Sequence, residues 1–430
     1  MSFLQTMLGT GNSGLLSTSS LLKIYFPILL VSFFVSVVIT PLIRWVAREA
    51  GIVDHPDQLR KLHEKPIAYL GGFVILFATL VGIGLSYTGF IEQPLMMQQV
   101  PFVIVFGMVA IAFTGFIDDI LGSYSWHKTA GQLVAAAAMA HQGIGTNVAM
   151  GFLNGMGVPK TISEFSLLGF SSFLSEIFSE FFSDPITPAY IIGVLIIALF
   201  ILGACNAANF IDGLDGLLSG VVAITAIGIL AITLIAIDAI TPEKLAALEQ
   251  SMPPDVFGIR GLDGVSLFGA NIVLCLAVLG AVLGFLVYNF NPATIFLGDT
   301  GSLLLGYLCI VMVLLLGENG QTHLVIAGLI VFSLPIMDTA LAITRRKMAG
   351  KPISEPDANH IHHIVYRKLG SVKKAVFAMY GMSALFAFVG VMLAWVQITG
   401  QVRAWIIYII AAILFGAIGI KAIKSARKYE

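Results

Sequence analysis

Long stretches without a single Asp, Glu, Lys or Arg constrain this chain more than any other feature. They run at 24–43, 66–91, 93–117, 129–159, 185–211, 216–237, 264–298, 300–317, 319–337, 375–402 and 404–420. A helix needs about 20 mostly apolar residues to cross the hydrocarbon core of a bilayer. Inside that core a backbone has no water to bond to, so it must satisfy itself as helix. Charged residues are 11% of the 430, against about 25% in soluble domains, so a water-facing fold would strand too much apolar surface. The expectation is an all-α polytopic membrane protein with about eleven transmembrane helices. Ten is the alternative count, because 129–159 holds His141 among several Gly and Asn residues and 300–317, 319–337 and 404–420 are near the minimum length.

The net charge of −1 hides a strong asymmetry. With eleven spans, the loops on one side and the C-terminal tail carry 18 of the 23 Lys and Arg residues. Lys23, Lys160, Lys244, Arg260 and Arg403 remain for the other side. Basic loops stay cytoplasmic, which predicts the N-terminus outside and the C-terminus inside. Residues 1–22 lack the basic start of a cleaved signal and read as a tail. Residues 23–430 read as one integral-membrane domain with cytoplasmic loops 44–65, 118–128, 207–216, 291–302 and 338–374. Cys205, Cys275 and Cys309 lie inside apolar runs without metal-ligand spacing and read as packing residues. The outer loops at 160–187 and 238–263 show no chemistry.

The acids are independent of that assignment, yet they gather on the same side. Asp118 and Asp119, Asp212 and Asp215, Asp299, and Asp338 all sit flush with cytoplasmic ends of spans. Ionisable residues at such depth are costly and usually face a partner or a polar cavity. One helix-end acid is commonly just an interface charge; several short loops delivering acids to one side make a site. Asn206, Asn209, Asp212 and Asp215 recur every three residues and would share one face of a helical turn. Phe296-Leu-Gly-Asp299-Thr-Gly-Ser302 offers a glycine turn, an acid and hydroxyls able to cap a helix. Carboxylates repel phosphate, so a cation must stand between these acids and any anionic substrate. Asp and Asn oxygens suit Mg²⁺ or Mn²⁺, ions that also bind substrate phosphates.

Around the acids lie basic and imidazole groups. The loop 338–374 carries Arg345-Arg346-Lys347, Gly350-Lys351-Pro352 and His360-Ile-His362-His363. Arginine grips diphosphate bidentately, although such a cluster also serves topology. The imidazoles lack a nearby cysteine, which disfavours zinc and favours phosphate donation or acid/base work. Arg60, Lys61 and His63 in the first loop and Lys128 after the Asp pair are further candidate substrate-binding residues. No GxxxxGK[ST] loop is present, which argues against an ATP-driven pump.

These motifs, in order, resemble the polyprenyl-phosphate N-acetylhexosamine-1-phosphate transferases, in particular the WecA/TagO-like branch. The likeness rests on Asp54-His-Pro-Asp-x-Arg60-Lys61-x-His63 with Pro66 and Gly71-Gly72; Gly115-x-x-Asp118-Asp119 with Lys128; Asn206-x-x-Asn209-x-x-Asp212-Gly-x-Asp215-Gly-Leu; Phe296-Leu-Gly-Asp299-Thr-Gly-Ser; Pro335-x-x-Asp338-Thr; and His360-Ile-His362-His363. It implies transfer of N-acetylglucosamine-1-phosphate from UDP-GlcNAc to undecaprenyl phosphate with release of UMP, starting a surface polysaccharide. It further implies metal contacts at Asn209 and Asp299, an essential pair at Asp118 and Asp119, positioning roles for Asp212 and Asp215, and nucleotide-sugar binding by His360, His362 and His363. Another UDP-N-acetylhexosamine, or UDP-MurNAc-pentapeptide, is the alternative donor, though relatives using the latter resemble a His-His-His run followed by an acid, which is absent here. The chain departs from the pattern at Ala358, where the branch usually has an arginine; Arg345, Arg346 or Lys351 are the candidates to replace it. Partners are then the donor, the lipid acceptor and the bilayer, with no nucleic acid and with a homodimer left open.

Two mechanisms fit. In one the lipid phosphate attacks directly with Asp118 or Asp119 orienting it; in the other an aspartate is a covalent nucleophile. The competing class, a cation-coupled transporter, would hold its carboxylates near mid-bilayer.

Overall fold

A computed structural model describes residues 18–55, 66–91, 97–122, 125–146, 148–149, 151, 188–240, 266–317, 321–352 and 360–400, with scattered positions between 403 and 420. Its helices are α1 Thr18–Glu49, α2 Gly71–Ser86, α3 Phe102–Leu121, α4 Ser125–His141, α5 Pro188–Ile211, α6 Leu217–Asp238, α7 Ser266–Asn289, α8 Gly298–Leu315, α9 Thr322–Val331, α10 Ser333–Met348, α11 Ile361–Leu369 and α12 Val372–Ile398. Strands β1 Val53–Asp54 and β2 Ile67–Ala68 pair antiparallel.

Helices α7 and α8 form the centre. An all-round apolar helix has no solvated face and is stable only when surrounded; Leu303 through Leu316 are at most 1% exposed. Around α8 pack α2, α3, α5 and α6, and around α7 pack α1, α2 and α6. The outer faces are apolar too: Phe26, Phe34, Val38, Leu42 and Trp45 of α1 are exposed. Only lipid makes such a surface tolerable. Polar groups inside the bundle find partners. Asn271 of α7 donates to the Thr233 hydroxyl of α6 at 3.0 Å and the Met312 carbonyl of α8 at 3.1 Å. Glycines bring α7 and α1 together, since a Cβ on Gly280 would fall 2.3 Å from the Leu29 carbonyl.

The protein is an all-α polytopic membrane protein. Among the described residues seven helices are long and apolar enough to span, or eight if α9 and α10 form one span bent by 77°. The other apolar runs that the structure describes form shorter or bent helices. The run 66–91 starts with β2, and its helix α2 has 16 residues, roughly 24 Å at 1.5 Å each. The run 129–159 yields the 17-residue α4, and 319–337 breaks between Val331 and Ser333. Helix α10 then continues through Arg345, Arg346 and Lys347, and α11 follows, so much of 338–374 is helical. The outer stretches 160–187 and 241–263, and most of 404–420, lie outside the described residues.

Candidate active site

The C-terminal ends of α3, α5 and α7 and the N-terminal ends of α6 and α8 meet at one end of the bundle. Close backbone approach holds them there. Amides of Gly71 and Gly72 donate to the carbonyls of Phe296 and Leu297, each at 2.9 Å, and Phe296 donates to Ala68 at 2.8 Å. A Cβ at Gly72 would lie 2.3 Å from the Gly301 nitrogen, and one at Gly115 would lie 2.5 Å from the Thr300 nitrogen. These glycines let α2 and α3 cross the first turn of α8.

That first turn receives its acceptor from another helix. Asp119 takes the Asp299 amide at 2.7 Å on one oxygen, and the Thr300 amide at 3.0 Å and hydroxyl at 2.6 Å on the other. A negative charge also suits the positive end of the helix dipole. Gly298 makes the turn possible with φ of 69°, while a side chain there would strike Asp119 at 2.7 Å. The hydroxyls of Thr300 and Ser302 do not cap α8; a carboxylate 180 residues away does.

With the turn held, Asp299 faces Asp118. The Lys128 ammonium lies 2.7 Å from the Asp118 carboxylate and is paired with Asp299 as well. On its other oxygen Asp299 meets the Asn209 amide at 2.7 Å, and Asn209 also reaches the Ser302 hydroxyl at 2.9 Å. Asp118, Lys128, Asn209, Asp299 and Ser302 thus converge from α3, α4, α5 and α8.

Helix α5 stops at Ile211. The run Asn206, Asn209, Asp212, Asp215 consequently does not share one helical face. Asn206 donates to the Leu202 carbonyl and to Gln132. Asp212 sits half-buried in the bend after α5, its carboxyl pushed up to about 8 by burial and then by Asp299, Asp119 and Asp215. Past Gly213, Asp215 accepts from the Asn291 amide at 2.8 Å and the Ala293 nitrogen at 3.0 Å, which fastens the α7–α8 loop. Gly216 follows with φ of 77°, its carbonyl bound by the Tyr380 hydroxyl of α12 at 2.5 Å.

The histidines come up against this bend. A Cβ on Gly213 would lie 2.2 Å from His362 Nε2. His362 is 1% exposed, and neither of its ring nitrogens has a hydrogen-bond partner among the described residues. Burial first, then His363, pushes its pKa down to about 3 despite Asp338. The His363 ring is 4.2 Å from that of His362. His360 packs 5.7 Å from Phe210, whose ring also lies beneath the Arg346 guanidinium at 5.5 Å.

The residues anticipated from sequence therefore separate into groups. Asp118, Lys128, Asn209 and Asp299 form one centre, and Asp119 and Asp215 are engaged in holding backbone around it. The histidines and Arg346 line an adjoining wall, Arg345 lies on the last turn of α10, and Arg60, Lys61 and His63 lie outside the described residues. No group of at least three His, Cys, Asp or Glu side chains among the described residues is arranged to hold a metal. Asn291 and Phe210 belong to the site yet were not singled out from sequence, and Thr300 and Ser302 were expected there only as helix caps. Their neighbours in the Asp motifs were the available signal.

The sequence profile of glycosyl transferase family 4 matches residues 101–317, which carry both the carboxylate pair and the α8 turn. The chain belongs to this family. Within it, a Shouchella clausii phospho-N-acetylmuramoyl-pentapeptide-transferase is 30% identical over 379 residues, covering 85% of this chain and 95% of the relative. A Bacillus subtilis protein, a probable undecaprenyl-phosphate N-acetylglucosaminyl 1-phosphate transferase, is 29% identical over 368 residues, 85% of this chain and 83% of its own. A decaprenyl-phosphate N-acetylglucosaminephosphotransferase of Mycolicibacterium smegmatis is 28% identical, covering 80% of this chain and 76% of the relative.

Proposed function

We propose that this chain transfers N-acetylglucosamine-1-phosphate from UDP-GlcNAc to undecaprenyl phosphate at the cytoplasmic membrane face. Its broader activity, sugar-1-phosphate transfer from a UDP-sugar to a polyprenyl phosphate, follows from family membership and from the kind of reaction its relatives are named for. The carrying observation is the convergence of Asp118 and Asp299 on a single cation, the Lys128 ammonium. Carboxylates close enough to share one positive charge suit a hard divalent ion. Two acids with Asn209 and Ser302 as further oxygen donors leave the remaining positions for water and phosphate, as Mg²⁺ prefers. Such an ion would neutralise the donor diphosphate and the charge that develops during transfer.

The chain's own residues do the rest. The acceptor phosphate, largely dianionic at neutral pH because its second pKa is about 6, needs orientation more than deprotonation. Asp118 would provide it by holding the ion beside the acceptor and not by touching the phosphate, because both oxygens of Asp119 are committed to the α8 turn. An oxygen of the lipid phosphate bonds to the β-phosphorus, and the bond from that phosphorus to the bridging oxygen breaks, releasing UMP. Lys128 and the histidine wall hold the anionic donor. GlcNAc is favoured by the His360-Ile-His362-His363 pattern. The basic asymmetry among loops supports the cytoplasmic placement.

Purified protein in detergent with Mg²⁺, undecaprenyl phosphate and a panel of UDP-sugars tests this. UMP release with UDP-GlcNAc is expected, with a loss of at least about 100-fold in Asp299→Asn, the scale of one lost electrostatic contact. Preference for UDP-MurNAc-pentapeptide would overturn the donor assignment. Silence with every UDP-sugar would overturn the activity.

A further inference from the structure

We propose that Asp338 is a positioning residue that acts through His360, presenting the Nε2 edge of that ring to the donor; this rests on the transferase reading. Asp338 is completely buried on α10. One carboxylate oxygen accepts the Ile361 amide at 2.7 Å and the other lies 2.8 Å from His360 Nδ1. An ionised carboxylate only accepts, so the hydrogen sits on Nδ1 and Nε2 is the ring nitrogen left for a ligand. Packing fixes the ring plane: Phe210 lies on one flank, and His362 stacks nearly parallel at 5.6 Å and 11°. Both neighbours belong to the site, since Phe210 follows Asn209 and His362 presses on Gly213 beside Asp212. Arg346, two turns further along α10, covers the same Phe210 ring. Helix α10 therefore sets an imidazole tautomer and supplies a guanidinium over the same Phe210 ring. A cap alone would need only one oxygen on Ile361; the second oxygen is spent on the ring. Carboxylates behind functional imidazoles act this way, fixing tautomer and orientation.

Asp338→Asn makes a specific prediction. Its amide oxygen can keep the Ile361 bond while its NH₂ turns to His360 Nδ1, which moves the ring hydrogen to Nε2. Turnover should fall about 10- to 100-fold, mainly in kcat/KM for the UDP-sugar, with KM for undecaprenyl phosphate unchanged. In a His360→Gln background the same change should cost less than about 3-fold, because the residue through which it acts is gone. Equal losses in both backgrounds, or wild-type activity in Asp338→Asn, would overturn the proposal. Nitrogen NMR of ¹⁵N-histidine-labelled protein, with the His360 signal assigned by its loss in His360→Gln, reads the tautomer in the wild type without any change at Asp338. A hydrogen on Nδ1 is expected, and one on Nε2 overturns the proposal. If the wild type turns over no UDP-sugar, the transferase reading falls, and this spectrum still decides the Asp338–His360 pair.

Discussion

Asp212 lies in the bend after α5 and His362 packs on Gly213 beside it, and burial pushes both toward their neutral forms. Burial and the charges of Asp299, Asp119 and Asp215 raise Asp212 to about 8, from an unfolded value near 3.9. Its folded form thus binds the proton more tightly. The associated stability is full below the unfolded value and is lost as pH rises through about 8. In metal-free detergent the melting temperature of the wild type should therefore fall more steeply with alkalinity than that of Asp212→Asn. Added Mg²⁺ should shrink the difference by favouring the carboxylate. Parallel curves for the two proteins would contradict the assigned environment. His362 has the opposite sign. Its pKa is lowered to about 3, so its contribution is present above about 6.5 and drains away as pH falls below that. His362→Phe, which cannot take up a proton, should flatten the acid side of the melting profile; an unchanged profile would count against a neutral buried ring. Neither behaviour was legible in the sequence. A lone Asp or His letter carries no burial, and burial sets both shifts.

Adjacent aspartates acquire different work from the elements they touch. Asp118 and Asp119 read as an equivalent pair, but α3 presents them a step apart around its axis. One faces Lys128 and Asp299, and the other the backbone of α8. Asp119→Ala removes a charged acceptor from two amides and a hydroxyl, which should cost roughly 2 kcal/mol or more, and it should weaken Mn²⁺ binding because Asp299 loses its support. Asp118→Asn should leave the melting temperature within a degree or so while abolishing most turnover. Calorimetry and Mn²⁺ titration of the two variants check this, and equal melting temperatures would remove the capping role. Gly72→Ala sets a Cβ 2.3 Å from a backbone nitrogen of α8. Neither helix can yield as a side-chain tip can, so a penalty of about 1–3 kcal/mol is expected from overpacking. The three-residue spacing from Asn206 to Asp215 suggested one helical face because periodicity assumes that the helix continues. Gly213 and Gly216 end it, and Asp215 is redirected to the α7–α8 loop.

For the whole molecule, the loop asymmetry predicts that Lys351 faces the cytoplasm and Lys23 the exterior. Single cysteines at those positions in a variant lacking the three native ones should react with a membrane-impermeant maleimide from opposite sides. Labelling of both from the same side would refute the orientation. Sequence alone determined the solvent of this protein, its helical class, its family and the gathering of acids on one side, because long charge-free runs and ordered short motifs are local properties that survive without coordinates. Tertiary structure decided how far each described helix runs, where α9 and α10 bend, and how the acids divide their roles. Those outcomes depend on contacts between segments distant in the chain, such as Asp119 with Asp299 or Asp338 with His360, and no local pattern encodes such distances.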